Sequence, residues 1–167
     1  MKSQTEKVCR VMLTLLLLMP LAASAQNEKF QAIFLYKFID NVNWPDSKRN
    51  LRIGIIGNTE VLEEFQKILK VRSTANLTAQ KISVSEVATC DVIYIPQSHS
   101  SIFNKVMEYT KSKSILIVTE ETDFVKKGAG ISFLQEEDKL GFIVNKHALD
   151  AKGLKVSTLL LTLGKEI

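Results

Sequence analysis

The sequence predicts an α/β fold: a single three-layer domain with a largely parallel sheet flanked by helices, plus a C-terminal β-hairpin and two short helices. Three observations lead there. Short apolar runs rich in β-branched residues, at 51–56, 92–95 and 115–118, have the length and composition of strands buried on both faces. Helical stretches separate them, and strand–helix alternation implies parallel strands joined by right-handed crossovers. The last third drops this rhythm for two strand-like runs around a polar connector, then two short capped helices. A chain of 167 residues with 46% hydrophobic residues favours one globular domain and excludes a disordered chain.

Residues 1–25 stand apart from that fold. Lys2, Lys7 and Arg10 make a basic start, and residues 11–19 are apolar apart from Thr14. Pro20 then breaks any helix, and Ala23-Ser24-Ala25 places small residues before Gln26. This is the layout of a secretory signal peptide cleaved between Ala25 and Gln26, which implies export and a mature domain over 26–167. The apolar run is too short to cross about 30 Å of hydrocarbon, so no membrane insertion is expected after cleavage. Cleavage removes Lys2, Lys7, Arg10 and Glu6, and the formal net charge falls from +4 to +2. The remaining lysines are interleaved with acids, as in Glu63-Glu64 with Lys67 and Lys70, so nucleic acid is not an expected partner. Cys9 leaves with the leader. Cys90 remains alone and cannot form an internal disulfide; opening an apolar run, it reads as a buried small hydrophobe.

The elements follow in order. Residues 28–42 read as a helix on which Phe30, Phe34, Leu35, Phe38, Ile39 and Val42 sweep half the circumference. So wide a stripe packs on more than one side or offers a face to a partner. Asn43-Trp44-Pro45 ends it, because Pro45 disfavours helical geometry at Trp44. Residues 51–56 form a strand, and 60–71 an amphipathic helix with Thr59 as N-cap and Glu60, Glu63 and Glu64 near its positive end. Strands follow at 79–84, 92–95 and 115–118, with a helix over 99–111 capped by Ser98. Residues 131–134 and 140–144 flank the polar connector 135–139 as a hairpin. Asn145 caps a helix over 146–152, with Val144 and Leu149 as a hydrophobic staple and Gly153 at the stop. Ser157 repeats the device with Val156 and Leu161.

Candidate chemistry is sparse. Gly54-Ile55-Ile56-Gly57 lies where α/β folds bind phosphates, but it lacks the G-x-G-x-x-G spacing and the Lys-Ser/Thr of a P-loop. Gly57 reads instead as a tight-turn residue. His99 and His147 have no partner at metal-site spacing. The clusters Glu120, Glu121, Asp123 and Glu136, Glu137, Asp138 match no calcium loop and read as solvated loops. Gly128-Ala129-Gly130, beside Lys126 and Lys127, reads as close backbone approach rather than an anion cradle. No nucleophile–base pair is visible. No catalytic residue, metal or cofactor is expected, and the chain is not expected to be an enzyme.

Three ordered blocks resemble the YfiR-like family of exported bacterial proteins. The first is 32–38 (AIFLYKF) followed by Val42-Asn43-Trp44-Pro45. The second joins 51–57 (LRIGIIG) to 90–95 (CDVIYI). The third runs from 124–128 (FVKKG) through Ile131-Ser132-Phe133 and 142–145 (FIVN) to 151–157 (AKGLKVS), with Leu160 and Leu163. Together they span about residues 28–165. The chain departs from the family at Asp91, where a His is usual, at Ala129, where a second glycine is, and at Gly164, where an alanine is. It also lacks the further cysteines that form disulfides in familiar members.

The resemblance implies a periplasmic regulator. Familiar relatives bind the periplasmic sensor domain of an inner-membrane diguanylate cyclase and lower cyclic-di-GMP output; release of the regulator favours biofilm formation. Related domains are also joined to membrane histidine kinases. The partners implied are the periplasmic domain of an inner-membrane signalling protein and an outer-membrane lipoprotein, with a homodimer left open. The matching residues read as architecture: Trp44 and Pro45 as a turn anchor, Gly57, Gly128 and Gly153 as special backbone positions, Cys90 and Leu154 as packing, Lys155 beside them, and Asn145 and Ser157 as caps. Two rival readings remain. One is a periplasmic small-ligand binder using the crevice around Gly57, Pro96 and Ser98; the other is an enzyme using Cys90.

Overall fold

The computed structural model describes residues 19–45, 50–57, 60–136 and 139–167. Helix α1 (Met19–Asp40) begins upstream of the expected start and runs through Ala25 and Gln26; Pro20 does not break it, because it stands in the first turn, where no N–H is needed. It also stops before Val42. Asn41 Nδ2 donates to Lys37 O (2.9 Å), closing the helix, while Asn41 O accepts from Ser157 N (2.9 Å). Residues 154–157 thus offer the backbone a better partner than another helical turn, and β1 (Val42–Asn43) pairs antiparallel with β8 (Lys155–Val156).

Strand β2 (Leu51–Ile56) and helix α2 (Glu60–Arg72) follow as expected, with acids in the first turn of α2 and bases in the last. Thr59, the expected cap, lies outside the described residues. Strand β3 is Leu77–Ile82, two residues earlier than the apolar pattern implied. The cause is local. Glu86 accepts from Ser83 N (2.8 Å) and Ser83 Oγ (2.7 Å), a capping box that draws Val84–Thr89 into a 3₁₀ turn.

After β4 (Val92–Ile95) the expected helix over 99–111 is divided. Gln97–Ile102 is a 3₁₀ segment kinked at His99, and only Phe103–Tyr109 is α-helical (α3). Ser98 caps nothing, since its hydroxyl is spent on the ring of His99 (3.0 Å). Strand β5 is Leu116–Thr119, helix α4 Asp123–Lys126, and β6 (Ile131–Glu136) and β7 (Lys139–Val144) form a hairpin longer than its apolar residues alone indicated. Helices α5 (Lys146–Ala151) and α6 (Thr158–Leu163) and strand β9 (Lys165–Glu166) complete the chain. Gly164, before β9, is required by packing: a Cβ there would lie 2.3 Å from the ring of Phe142.

The main sheet has seven strands in the order β3-β2-β4-β5-β6-β7-β9. The strands from β3 to β6 are parallel; β7 runs antiparallel to β6, and β9 lies parallel to β7. Side chains alternate across it, as period-two geometry requires. Ile53, Ile55, Val92, Tyr94, Leu116 and Val118 face α1, α2, α5 and α6, while Ile56, Ile93, Ile95 and Ile117 face the 3₁₀ segments, α3 and α4. This is the mixed α/β architecture the sequence predicts. Among the described residues no helix is long and apolar enough to cross a membrane.

Candidate functional site

Most of the motif residues gather at the amino-terminal edge of the parallel strands. Trp44, Pro45 and Cys90 line one hollow of about 340 Å³ together with Asp91, Lys113 and Ser114. Trp44 also walls a second cleft of about 560 Å³, bordered by Tyr36, Asp40, Leu51, Thr74 and Asn76. The indole is 7% exposed, yet its Nε1–H has no hydrogen-bond partner among the described residues. Gly153 turns beneath it with φ +71°, and a Cβ there would come within 3.2 Å of Pro45 Cγ. Leu154 is buried in the core and Lys155 pairs with Asn43. Ser157 has two duties. Its Oγ accepts from Leu160 N (3.2 Å), capping α6, and donates to Asn41 Oδ1 (2.8 Å), fastening the end of α1.

Cys90 is buried against Gly54, where a Cβ would lie 2.7 Å from its Sγ. Burial pushes the thiol pKa up, the reverse of what a nucleophilic cysteine needs. Asp91, the departure beside it, takes a structural part: its Oδ2 accepts from Arg52 N (2.8 Å), joining β2 to the start of β4. Gly128 and Asn145 form a second group around α4 and α5. Asn145 accepts from Ala148 N (2.8 Å) as the cap of α5 and donates to Val125 O (2.8 Å) in α4. Gly128, with φ +103°, turns the chain out of α4.

The carboxyl-terminal edge holds Gly57 and the residues that sequence reasoning missed. Gly57 has φ +80° and lies under the His99 ring, 2.6 Å from where its Cβ would be. The two border an open depression of about 630 Å³ with Lys81, Ser83, Glu86 and Ile102. Beside it, Glu120 is not a solvated loop residue as expected. Its Oε1 accepts from the Tyr94 hydroxyl and from Gln31 Nε2 (2.9 Å), and its Oε2 from Gln97 N (2.7 Å). Burial, reinforced by the Glu120 charge, holds the Tyr94 hydroxyl well above its ordinary pKa. A carboxylate with three donors thus ties α1 to β4 and β5 at the edge where open α/β sheets usually receive ligands. The sequence held one clue: a tyrosine within an aliphatic strand must find a partner for its hydroxyl when buried.

The other polar candidates stay apart. His147 is exposed, Asp123 pairs with Lys126 (3.7 Å), Glu136 is exposed, and Glu137 and Asp138 lie outside the described residues. No group of three or more His, Cys, Asp or Glu that could hold a metal occurs among the described residues.

Comparison with known proteins gives two kinds of finding. Two solved structures, each 14% identical to this chain, share its fold over 83% of its length. One is described as the ABC domain in complex with L-Trp from Streptococcus pneumonia (TM-score 0.57), the other as a conserved domain protein from Vibrio cholerae O1 biovar eltor (TM-score 0.55). The chain spans 59% of the length of each. No curated protein matches. A family model described as YfiR/HmsC-like matches residues 28–165, and that family is regulatory and acts through protein contact. The match takes in β1 to β8 whole and all of the amino-edge motif cluster, so the chain belongs to the YfiR/HmsC-like family.

Proposed function

We propose that this chain is a periplasmic binding protein that restrains an inner-membrane signalling protein of the diguanylate cyclase type by gripping its periplasmic domain. Family membership over residues 28–165 is the observation that carries this reading. The cleavable leader ending at Ala25 supports the compartment, and the buried, pKa-raised thiol of Cys90 argues against covalent catalysis. The mechanism is a population shift: a regulator that binds the receptor's inactive state tenfold more tightly than its active state moves that equilibrium by about 1.4 kcal/mol. An outer-membrane lipoprotein that competes for the same regulator would release the receptor.

The test is capture from membranes. Tagged mature chain incubated with detergent-solubilised inner membranes should retain a diguanylate cyclase stoichiometrically, and deletion of the gene should raise cyclic-di-GMP. Neither effect would be seen if the reading is wrong. A second reading, small-ligand binding, is favoured by the depression at Gly57, Lys81 and His99, whose volume of about 630 Å³ is of ligand size. One structure of similar fold is described in complex with L-Trp. Mass spectrometry of the purified chain separates the two readings, since a retained metabolite without a receptor supports the second.

A further inference from the structure

We propose that the seam between α1 and α2 is the docking surface, and that it receives an acidic segment of the receptor's periplasmic domain that inserts one bulky apolar side chain. This rests on the regulatory reading above. The seam carries a hollow of about 220 Å³ with Ile33 from α1 and Ile68 and Val71 from α2 on its walls. Ile33 is 38% exposed and Val71 85%. Isolated apolar residues on a surface need no explanation, but these two share one concave groove.

The rim supplies the sign of the partner. Lys29, Lys67 and Arg72 surround the groove against one carboxylate, Glu64, which is already paired with Lys67 Nζ (2.6 Å). Arg72 is held over the Tyr36 ring at 4.8 Å, which fixes its position without neutralising it. The dipole of α2 accounts for a cation in its last turn; it does not account for Lys29, which α1 brings to the same rim. An apolar anchor ringed by charge is the form of an interface hot spot, and a basic rim selects and steers an acidic partner. A second copy of the chain is disfavoured, because a two-fold contact through this seam sets the cations of one copy against those of the other. A flat headgroup layer would leave the hollow unfilled.

The experiment uses the full mature chain with benzoylphenylalanine at Val71 and solubilised inner membranes of the source bacterium as the probe. Photolysis should yield an adduct whose mapped peptide lies in a diguanylate cyclase periplasmic domain and contains Asp or Glu. An adduct with a second copy, with phospholipid, or with a receptor peptide lacking carboxylates overturns the proposal. In parallel, Val71→Glu and Lys29→Glu, both at exposed positions, should each lower receptor capture about tenfold or more at unchanged melting temperature. Undiminished capture by both variants overturns the docking surface and leaves the regulatory reading standing. Failure of the unsubstituted chain to capture any receptor overturns both.

Discussion

Trp44 combines a wall position between two clefts with a buried indole N–H that has no acceptor among the described residues. An unmade hydrogen bond on a buried donor costs about 1–3 kcal/mol. Trp44→Phe removes that donor and keeps most of the packing, so its stability should fall within about 1 kcal/mol of the parent or above it. Trp44→Ala should lose about 3–5 kcal/mol through the cavity it leaves. Urea midpoints at constant m-value measure both, and a large loss in the phenylalanine variant would show that the indole N–H has a partner. Tyr94 is the opposite case. Tyr94→Phe deprives Glu120 of a donor and should cost about 1–3 kcal/mol. Its pH signature is distinctive. A tyrosine pKa raised by folding gives stability that is fully present below the unfolded value near 10 and is lost as pH climbs above it. Urea unfolding between pH 8 and 11 should therefore show an alkaline loss that is smaller in the phenylalanine variant. These two residues also mark how far sequence reads at this scale. Asn145 and Ser157 were legible as caps because a cap needs only a short polar residue before an apolar run. The Glu120 cluster was not, because its donors come from positions 31, 94 and 97, which only the fold brings together.

Elements were legible in proportion to their length. The four parallel strands with apolar runs and helix α2 carry enough residues for a period to show, and the sequence places them within about two residues. The two-residue strands β1, β8 and β9 carry none, and they govern where α1 ends and how the sheet edge closes. The kinked 3₁₀ segment before α3 was hidden for a different reason: Ser98 and Asn145 look alike as cap candidates, and geometry alone distinguishes them. That difference is measurable. Ser157→Ala should lose about 0.5–2 kcal/mol from the cap of α6, with a further loss from the bond to Asn41. Ser98→Ala, at an exposed hydroxyl that meets only a neighbouring imidazole, should stay within about 0.5 kcal/mol of the parent. Equal losses at the two serines in thermal melts would contradict the assignment of one as a cap and the other as a bystander.

At the scale of the molecule, α1 lies across one face of the sheet and is fastened at two points, mid-helix and at its carboxyl-terminal end. Gln31 binds Glu120 at the carboxyl-terminal edge, and Asn41 binds Ser157 near the amino-terminal edge. Between these points Ala32, Leu35, Phe38 and Ile39 enter the core, and Phe38 packs against Phe142 at a ring separation of 4.9 Å. A helix held in this way is a rigid platform, which suits a docking face on its exposed side. Among the residues of α1 whose burial is described, Gln26 onward, the buried ones begin at Gln31 and Ala32, downstream of the expected cleavage between Ala25 and Gln26. A chain starting at Gln26 should therefore melt at the same temperature as the uncleaved protein. A chain starting at Phe34 loses Gln31 and Ala32, leaves Glu120 short of one donor, and should be weaker by at least about 1–3 kcal/mol. Calorimetry of the three chains decides the matter. An unchanged melting temperature for the shortest would mean that the Gln31–Glu120 bond does not fasten α1, and the platform would then be held by its core contacts and by Asn41 alone.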